Sequence, residues 1–228
     1  MNRIAAMVGI DFDNTIVCYD PVFYRVARDL GMIPEEVAKT KQAVRDFIRS
    51  HLSDQDWTSL QSEVYGPRLL EADPYSGVKG FFMDCSERGV PVGIISHKSR
   101  YPAAGKPYDL HRSALAWLEA NGFFATDAIH LLKDQLIFAT SRKEKIEHII
   151  RQGCTHFIDD LPEVFAEPDF PAAVRKVLFD PHDTYAGWAG GIRARSWVEI
   201  RKAVFGDGAF RINRTLQPNA AGPTRSVR

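Results

Sequence analysis

Cysteine is scarce in this chain: Cys18, Cys85 and Cys154 are the only three. Three cannot pair off, and their spacing matches no metal-binding pattern, so a disulfide scaffold and a zinc module are both excluded; the expectation is a reduced, cytoplasmic protein. Long apolar runs are missing, which excludes a membrane span. The apolar N-terminal stretch is too short for a signal peptide and runs straight into acidic residues. No charge of one sign predominates, because 29 Lys+Arg balance 29 Asp+Glu. Nothing global therefore points to nucleic acid or a membrane surface as a partner. There is no internal repeat, no low-complexity block and no G-x-x-x-x-G-K-[ST] loop, which leaves an ordinary P-loop kinase unsupported. What remains is an ordinary globular composition, 45% hydrophobic and 25% charged over 228 residues. That length suits one large domain, or one domain with a small insert.

The chain is organised around Ile10-Asp11-Phe12-Asp13-Asn14-Thr15. Two carboxylates follow the apolar run Ile4–Ile10, which reads as a strand buried in the middle of a parallel sheet. They then stand at the strand's carboxyl end, where open α/β sheets bind ligands. Two acids this close repel unless a cation or a shared proton lies between them. An Asx-type turn is the plain reading, and a magnesium site with an aspartate nucleophile the sharper one.

From about Pro21 to Tyr65 the pattern is helical only. Val22, Val26 and Leu30 recur at four-residue spacing before Gly31. Pro34 suits the first turn of a second helix, with Val37, Val44, Phe47 and Ile48 on one face. Trp57, Leu60 and Val64 mark a third, opening near Ser53 or Asp54. Trp57 and Tyr65 read as core of this helical insert. Ser76 is a candidate cap for a helix carrying Val78, Phe81, Phe82 and Cys85. Strand signals return at Val90–Ser96, Ile129–Leu132, Thr155–Ile158, Lys176–Phe179 and Gly191–Arg195. Helices lie between them: one with Leu110, Ala114, Trp117 and Leu118; one opened by Ser141-Arg142-Lys143-Glu144 with Ile146, Ile149 and Ile150 inward; and a last one capped by Ser196. The segment His97–Tyr108 reads as a basic loop. Such alternation implies a doubly wound parallel sheet, α/β and Rossmann-like, with all strand carboxyl ends on one edge. The expected division is a core of residues 1–17 and 73–205, a helical cap of 18–72 and a disordered tail of 206–228.

Four features collect on that edge: Asp11 and Asp13, then Ser96, then Lys143 or Lys145, then Asp159 and Asp160. In this order, as D-F-D-N-T, I-I-S, a helix-opening lysine and F-I-D-D, they resemble the haloacid dehalogenase-like (HAD) hydrolase superfamily over roughly residues 4–200, with the helical block as a small C1-type cap. The resemblance implies a Mg²⁺-dependent phosphatase acting on a small soluble phosphoester. Asp11 would be the nucleophile, forming an aspartyl-phosphate. Asp13 would be the general acid and base, its backbone carbonyl serving the metal. Ser96 would offer its hydroxyl to a phosphoryl oxygen, and a lysine would offset charge. Lys145 has the spacing of short-helix versions of the motif, and Lys143 is the reserve. Asp11, Asp13, Asp160 and Asp159 are the expected metal ligands, Asp160 ahead of Asp159, one of which could instead cap the helix at Leu161-Pro162-Glu163. Asn14, Thr15, His97 and Lys98 are the candidate substrate contacts. The second acid, Asp13, argues for phosphoesters over carbon–halogen bonds, because a halide leaves without a proton.

Lys41, Arg45 and Arg49 line one helix face, either a solvated stripe or, if that face turns inward, a seat for a second anionic group. Two other functions stay open: phosphoryl transfer between small molecules, as in a mutase, and non-catalytic binding through the same fold.

Overall fold

The structure is a computed structural model and describes residues 7–124 and 129–206. The expected disordered tail therefore lies, but for Gly206, outside the described residues, as does the start of the Ile4–Ile10 run. Six strands form one parallel sheet in the order β5-β4-β1-β6-β7-β8. They are β1 (Val8–Ile10), β4 (Val92–His97), β5 (Leu136–Ala139), β6 (His156–Asp159), β7 (Arg175–Phe179) and β8 (Ile192–Ala194). Period-two alternation sends neighbouring residues to opposite faces. Ile94, Ile158 and Val177 join one apolar cluster with Phe81, Trp117 and Trp197, while Ile95, Phe157 and Leu178 join another with Ile146, Ile149 and Phe165. Helices α4 (Val78–Glu87), α5 (Leu110–Ala120) and α8 (Trp197–Phe205) supply the first cluster; α6 (Arg142–Arg151) and α7 (Pro162–Phe165) supply the second. The sheet is thus covered on both faces, a doubly wound α/β core. Gly9 in β1 is required by packing: a Cβ there would lie 2.6 Å from the Phe157 ring and 2.8 Å from Cys154 Sγ.

The chain moves outward from β1 to β4 and β5, then crosses to β6, β7 and β8. The reversal leaves a crevice at the carboxyl ends of β4, β1 and β6. Beside it, the two-residue strands β2 (Val17–Cys18) and β3 (Asp73–Pro74) pair antiparallel. Between them lie helices α1 (Asp20–Asp29), α2 (Lys41–His51) and α3 (Asp54–Tyr65). Phe23 stacks on Trp57 at 5.0 Å, and Val44, Ile48, Leu60 and Val64 complete the interior of this block.

Several local expectations need correction. The third sheet strand is Leu136–Ala139, not Ile129–Leu132. Ile129 and Leu131 are buried, but in a segment that pairs with no strand among the described residues, whereas Leu136-Ile137-Phe138-Ala139 forms the half-exposed edge strand. Helix α2 opens at Lys41 and not at Pro34: Thr40 caps it by accepting from the Ala43 N–H, and the Asp20 carboxylate takes the Lys41 N–H at 2.7 Å. Helix α4 is preceded by Gly77 at φ 89° and has no side-chain cap, so Ser76 does not serve as one. Ile150 faces solvent. All three cysteines are free, and no helix among the described residues is long and apolar enough to cross a membrane.

Candidate active site

Directly after β1 the chain makes one helical turn, the Ile16 and Val17 N–H groups both donating to the Phe12 carbonyl. Asn14 takes the left-handed conformation, φ 56°, that its short polar side chain tolerates. This turn sets Asp11 over the sheet edge and Asp13 on the side of the helical block. The carboxylates of Asp11, Asp159 and Asp160 each bring an oxygen within 4.8 Å of the others. Lys145, one turn into α6 and 2% exposed, bridges two of them, with Nζ 2.6 Å from Asp11 Oδ1 and 2.6 Å from Asp159 Oδ2. The Ser141 cap fixes that first turn by accepting from the Glu144 N–H. Lys143 is exposed.

The acidic pair divides by geometry. Asp159 has both oxygens engaged, one by Lys145 and the other by the Leu161 N–H ahead of α7. Asp160 has no such bonds among the described residues and lines the crevice cavity. Burial, then Asp159 and Asp11, push the Asp160 carboxyl well above its ordinary value, against the pull of Lys41 and Lys145. Asp11 is raised to about 7 by burial, which Lys145 only partly opposes while Asp159 and Asp13 add to it. Repulsion of this kind is what a divalent cation relieves, and three carboxylates are the hard oxygen donors that Mg²⁺ prefers. The residues fit that ion.

Asp13 is in a different state. Burial alone would raise its carboxyl, but Lys98 and Tyr19 hold it below the ordinary value. Lys98 Nζ lies 2.9 Å from both Asp13 oxygens, and the Tyr19 hydroxyl donates at 2.5 Å. Lys98 is buried under the rings of Phe12 and Tyr65, and its carbonyl lies 2.8 Å from His111 Nε2. Alternation along β4 puts Ser96 and Lys98 on one side of the strand and the neighbouring His97 on the other, where its ring is exposed and lies 3.2 Å from the Thr140 carbonyl. Thr15 Oγ1 and Ser96 Oγ are buried with no hydrogen-bond partner among the described residues. A buried hydroxyl left unpaired costs about 1–3 kcal/mol, so both are groups awaiting a ligand or water.

Beyond Asp160 opens a cavity of about 380 Å³ between α2 and the core, with Asn14, Tyr75 and Tyr185 in its wall. Asp180 shapes the core side by accepting the Thr184 and Tyr185 N–H groups. Asp20 joins the two sides, taking the Lys41 N–H on one oxygen and lying 2.8 Å from His182 Nε2 through the other. Sequence reasoning passed over Tyr19, Tyr75 and His182. Tyr19 carried a usable signal in its place six residues after Asp13 at the mouth of the helical block. Tyr65, read as interior, is half-buried with its ring over Lys98 and Lys41.

No protein-family profile and no curated protein matches the chain. Solved structures do. A HAD-hydrolase of Bacillus subtilis, YfnB, bound to magnesium, is 11% identical, aligning over 89% of this chain and 100% of its own with TM-score 0.55. A HAD family hydrolase of Deinococcus radiodurans with bound phosphate and sodium is 14% identical over 90% and 96%, TM-score 0.54. A phosphoserine phosphohydrolase-like protein of Francisella tularensis is 13% identical over 87% and 99%, TM-score 0.50. At such identities the likeness is one of fold, and the chain has the fold of the HAD-superfamily hydrolases.

Proposed function

From that fold and the crevice it builds, we propose that this protein is a Mg²⁺-dependent phosphoester hydrolase. The observation that carries the proposal is the convergence of Asp11, Asp159 and Asp160 around one point, with Lys145 tied between two of them. The magnesium, phosphate and phosphohydrolase names among the fold neighbours support the same reading.

Asp11, Asp160 and the Asp13 carbonyl would hold the ion, with Asp159 steadying Lys145 behind them. When bound, the ion supplies charge neutralisation between the phosphoryl group and the carboxylates. The Asp11 oxygen not engaged by Lys145 attacks phosphorus, and the phosphoryl–oxygen bond of the ester breaks as an aspartyl-phosphate forms. Lys145 offsets the charge gathering there. Thr15 and Ser96 offer their unpaired hydroxyls to the phosphoryl oxygens. Asp13, kept ionised by Lys98 and Tyr19, is prepared to take a proton from the water that cleaves the intermediate. The proton needed by the departing alkoxide in the first half comes from the Lys98 ammonium, 2.9 Å from both Asp13 oxygens, and returns to it through Asp13 in the second, which makes Lys98 part of the acid–base unit as well as a substrate contact.

The test is release of inorganic phosphate from p-nitrophenyl phosphate with Mg²⁺, with and without chelator. Asp11→Asn is expected to lower the rate roughly 10⁴-fold, as loss of a nucleophile does. Undiminished turnover in that variant would remove the assignment, and an isomerised product in place of phosphate would redirect it to phosphoryl transfer.

A further inference from the structure

Resting on the hydrolase reading, we infer that the substrate carries a second anionic group, a carboxylate or another phosphate, which Lys41 and Arg45 of α2 recognise in the cavity beside Asp160. The two side chains are four residues apart on one helix face, and both line the cavity that Asp160 also lines. Lys41 is held unusually for a surface lysine. Its Nζ lies 5.8, 5.6 and 5.7 Å from the ring centres of Tyr19, Phe23 and Tyr65. Among the described residues it forms no salt bridge. The rings, with a hydrogen bond to Tyr65, fix the charge in the cavity, where the Asp160 and Asp13 carboxylates act on it without pairing to it. Among the described residues the salt bridge of Arg45 is to its neighbour Asp46, an exposed contact.

The phosphoryl end of the crevice already has its own cations. Lys145 is taken up by Asp11 and Asp159, and Lys98 by Asp13. Two further cations in the adjoining cavity, Lys41 and Arg45, are more than the transferring group needs. The wall also carries the hydroxyl and amide groups of Thr40, Gln42, Thr184, Tyr75 and Tyr185, and its carboxylates Asp20 and Asp180 are already engaged, Asp20 by the Lys41 N–H and His182, Asp180 by the Thr184 and Tyr185 N–H groups and Arg193. A small, hydroxylated phosphoester with an acid at its other end matches both the volume and the lining.

The test compares matched pairs that differ only in the second charge: 3-phosphoglycerate against glycerol 1-phosphate for the carboxylate, and 1,3-propanediol bisphosphate against 3-hydroxypropyl phosphate for the phosphate. With Mg²⁺ and the full chain, kcat/KM is expected to favour the charged member of at least one pair by about tenfold or more, carried mainly by KM. Which pair responds identifies the acid. In Lys41→Gln and in Arg45→Gln that ratio falls toward one, whatever happens to each rate alone. A wild-type ratio near one for both pairs overturns the inference. So does a ratio that both variants preserve, which would mean that these cations serve the transferring phosphoryl or neither group. If no ester is hydrolysed, the hydrolase reading fails separately, and the same pairs are measured by calorimetric binding: preferential binding of the charged member, lost in Lys41→Gln, sustains the second-anion site, and equal binding ends it.

Discussion

A single lysine decides how two aspartates coexist. Lys145 sits between Asp11 and Asp159 with almost no access to water, and removing its charge leaves the two carboxylates facing each other in a buried place. Breaking one partner out of such a set costs about 3–5 kcal/mol. Lys145→Met is expected to lose that much stability in urea unfolding without divalent ions, and to regain part of it when Mg²⁺ is added. A variant as stable as the parent would show that Asp11 is already protonated in the resting protein. His156 offers a separate test, remote from the carboxylates' chemistry. Burial, then the Arg175 guanidinium, depress its imidazole, and its Nε2 is buried without a partner. A histidine kept neutral in the fold but free to charge when unfolded contributes stability above its unfolded pKa, about 6.5, and that contribution is lost as pH falls below it. Asp11 and Asp160, raised in the fold, act in the opposite sense, so the informative measurement is a difference. Between about pH 7.5 and pH 5, the urea midpoint of His156→Gln should fall less than that of the parent; parallel curves would exclude the effect.

Elements show where sequence was informative and where it stopped. Strands buried along their length are legible: β4 carries Val92-Gly93-Ile94-Ile95 and β6 Phe157-Ile158, and each ends close to residues that the crevice gathers. Edge strand β5, Leu136-Ile137-Phe138-Ala139, is apolar throughout, but Ile129–Leu132 is a second short apolar run just ahead of it, and periodicity does not choose between two such runs. Helix α2 was misplaced at its start because Pro34-Glu35-Glu36 has the look of a first turn, whereas the N–H that matters is taken by Asp20, twenty-one residues before Lys41 in the chain. Period two distinguishes Ser96 and Lys98 from His97 once β4 is seen to run one residue past Ser96, to His97. At this scale the sharpest prediction concerns β1. Gly9 lies against Phe157 and Cys154 with no room for a side chain, and both neighbours belong to a packed cluster. Gly9→Val should destabilise the protein by about 1–3 kcal/mol, the usual cost of overpacking, read as a lowered denaturant midpoint with unchanged slope. A neutral result would mean that β6 can step aside.

For the whole molecule, the legible part was the core and the unreadable part was how the helical block sits on it. The alternation of strands and helices, with right-handed crossovers, gives the sheet and its carboxyl edge. Nothing in periodicity tells which face of α2 turns inward, so Lys41 and Arg45 could not be separated from Arg49, which pairs with Asp54 on an exposed part of the block. The same docking brings Tyr19 to Asp13 and Tyr65 to Lys98. The ion's effect on the molecule is also a property of this scale. A ligand that binds only the folded protein raises stability by about 2.7 kcal/mol at one hundred times its dissociation constant. Mg²⁺ should therefore raise the thermal midpoint in a concentration-dependent way, chelator should reverse it, and Asp160→Asn should abolish most of the rise; a midpoint indifferent to Mg²⁺ in the parent protein would count against the carboxylate cluster as its seat.

Strands β2 and β3 are only two residues each, yet they pair side by side, Val17 with Pro74 and Cys18 with Asp73. The chain departs from the sheet and comes back to it at neighbouring points. Everything between is, topologically, the tip of one long hairpin. Such an excursion can be shortened to a tight turn, or exchanged for another of different size, without rethreading any strand of the main sheet. The carboxylate-bearing edge of the sheet and the helical block beside it are thereby written in separable stretches of sequence.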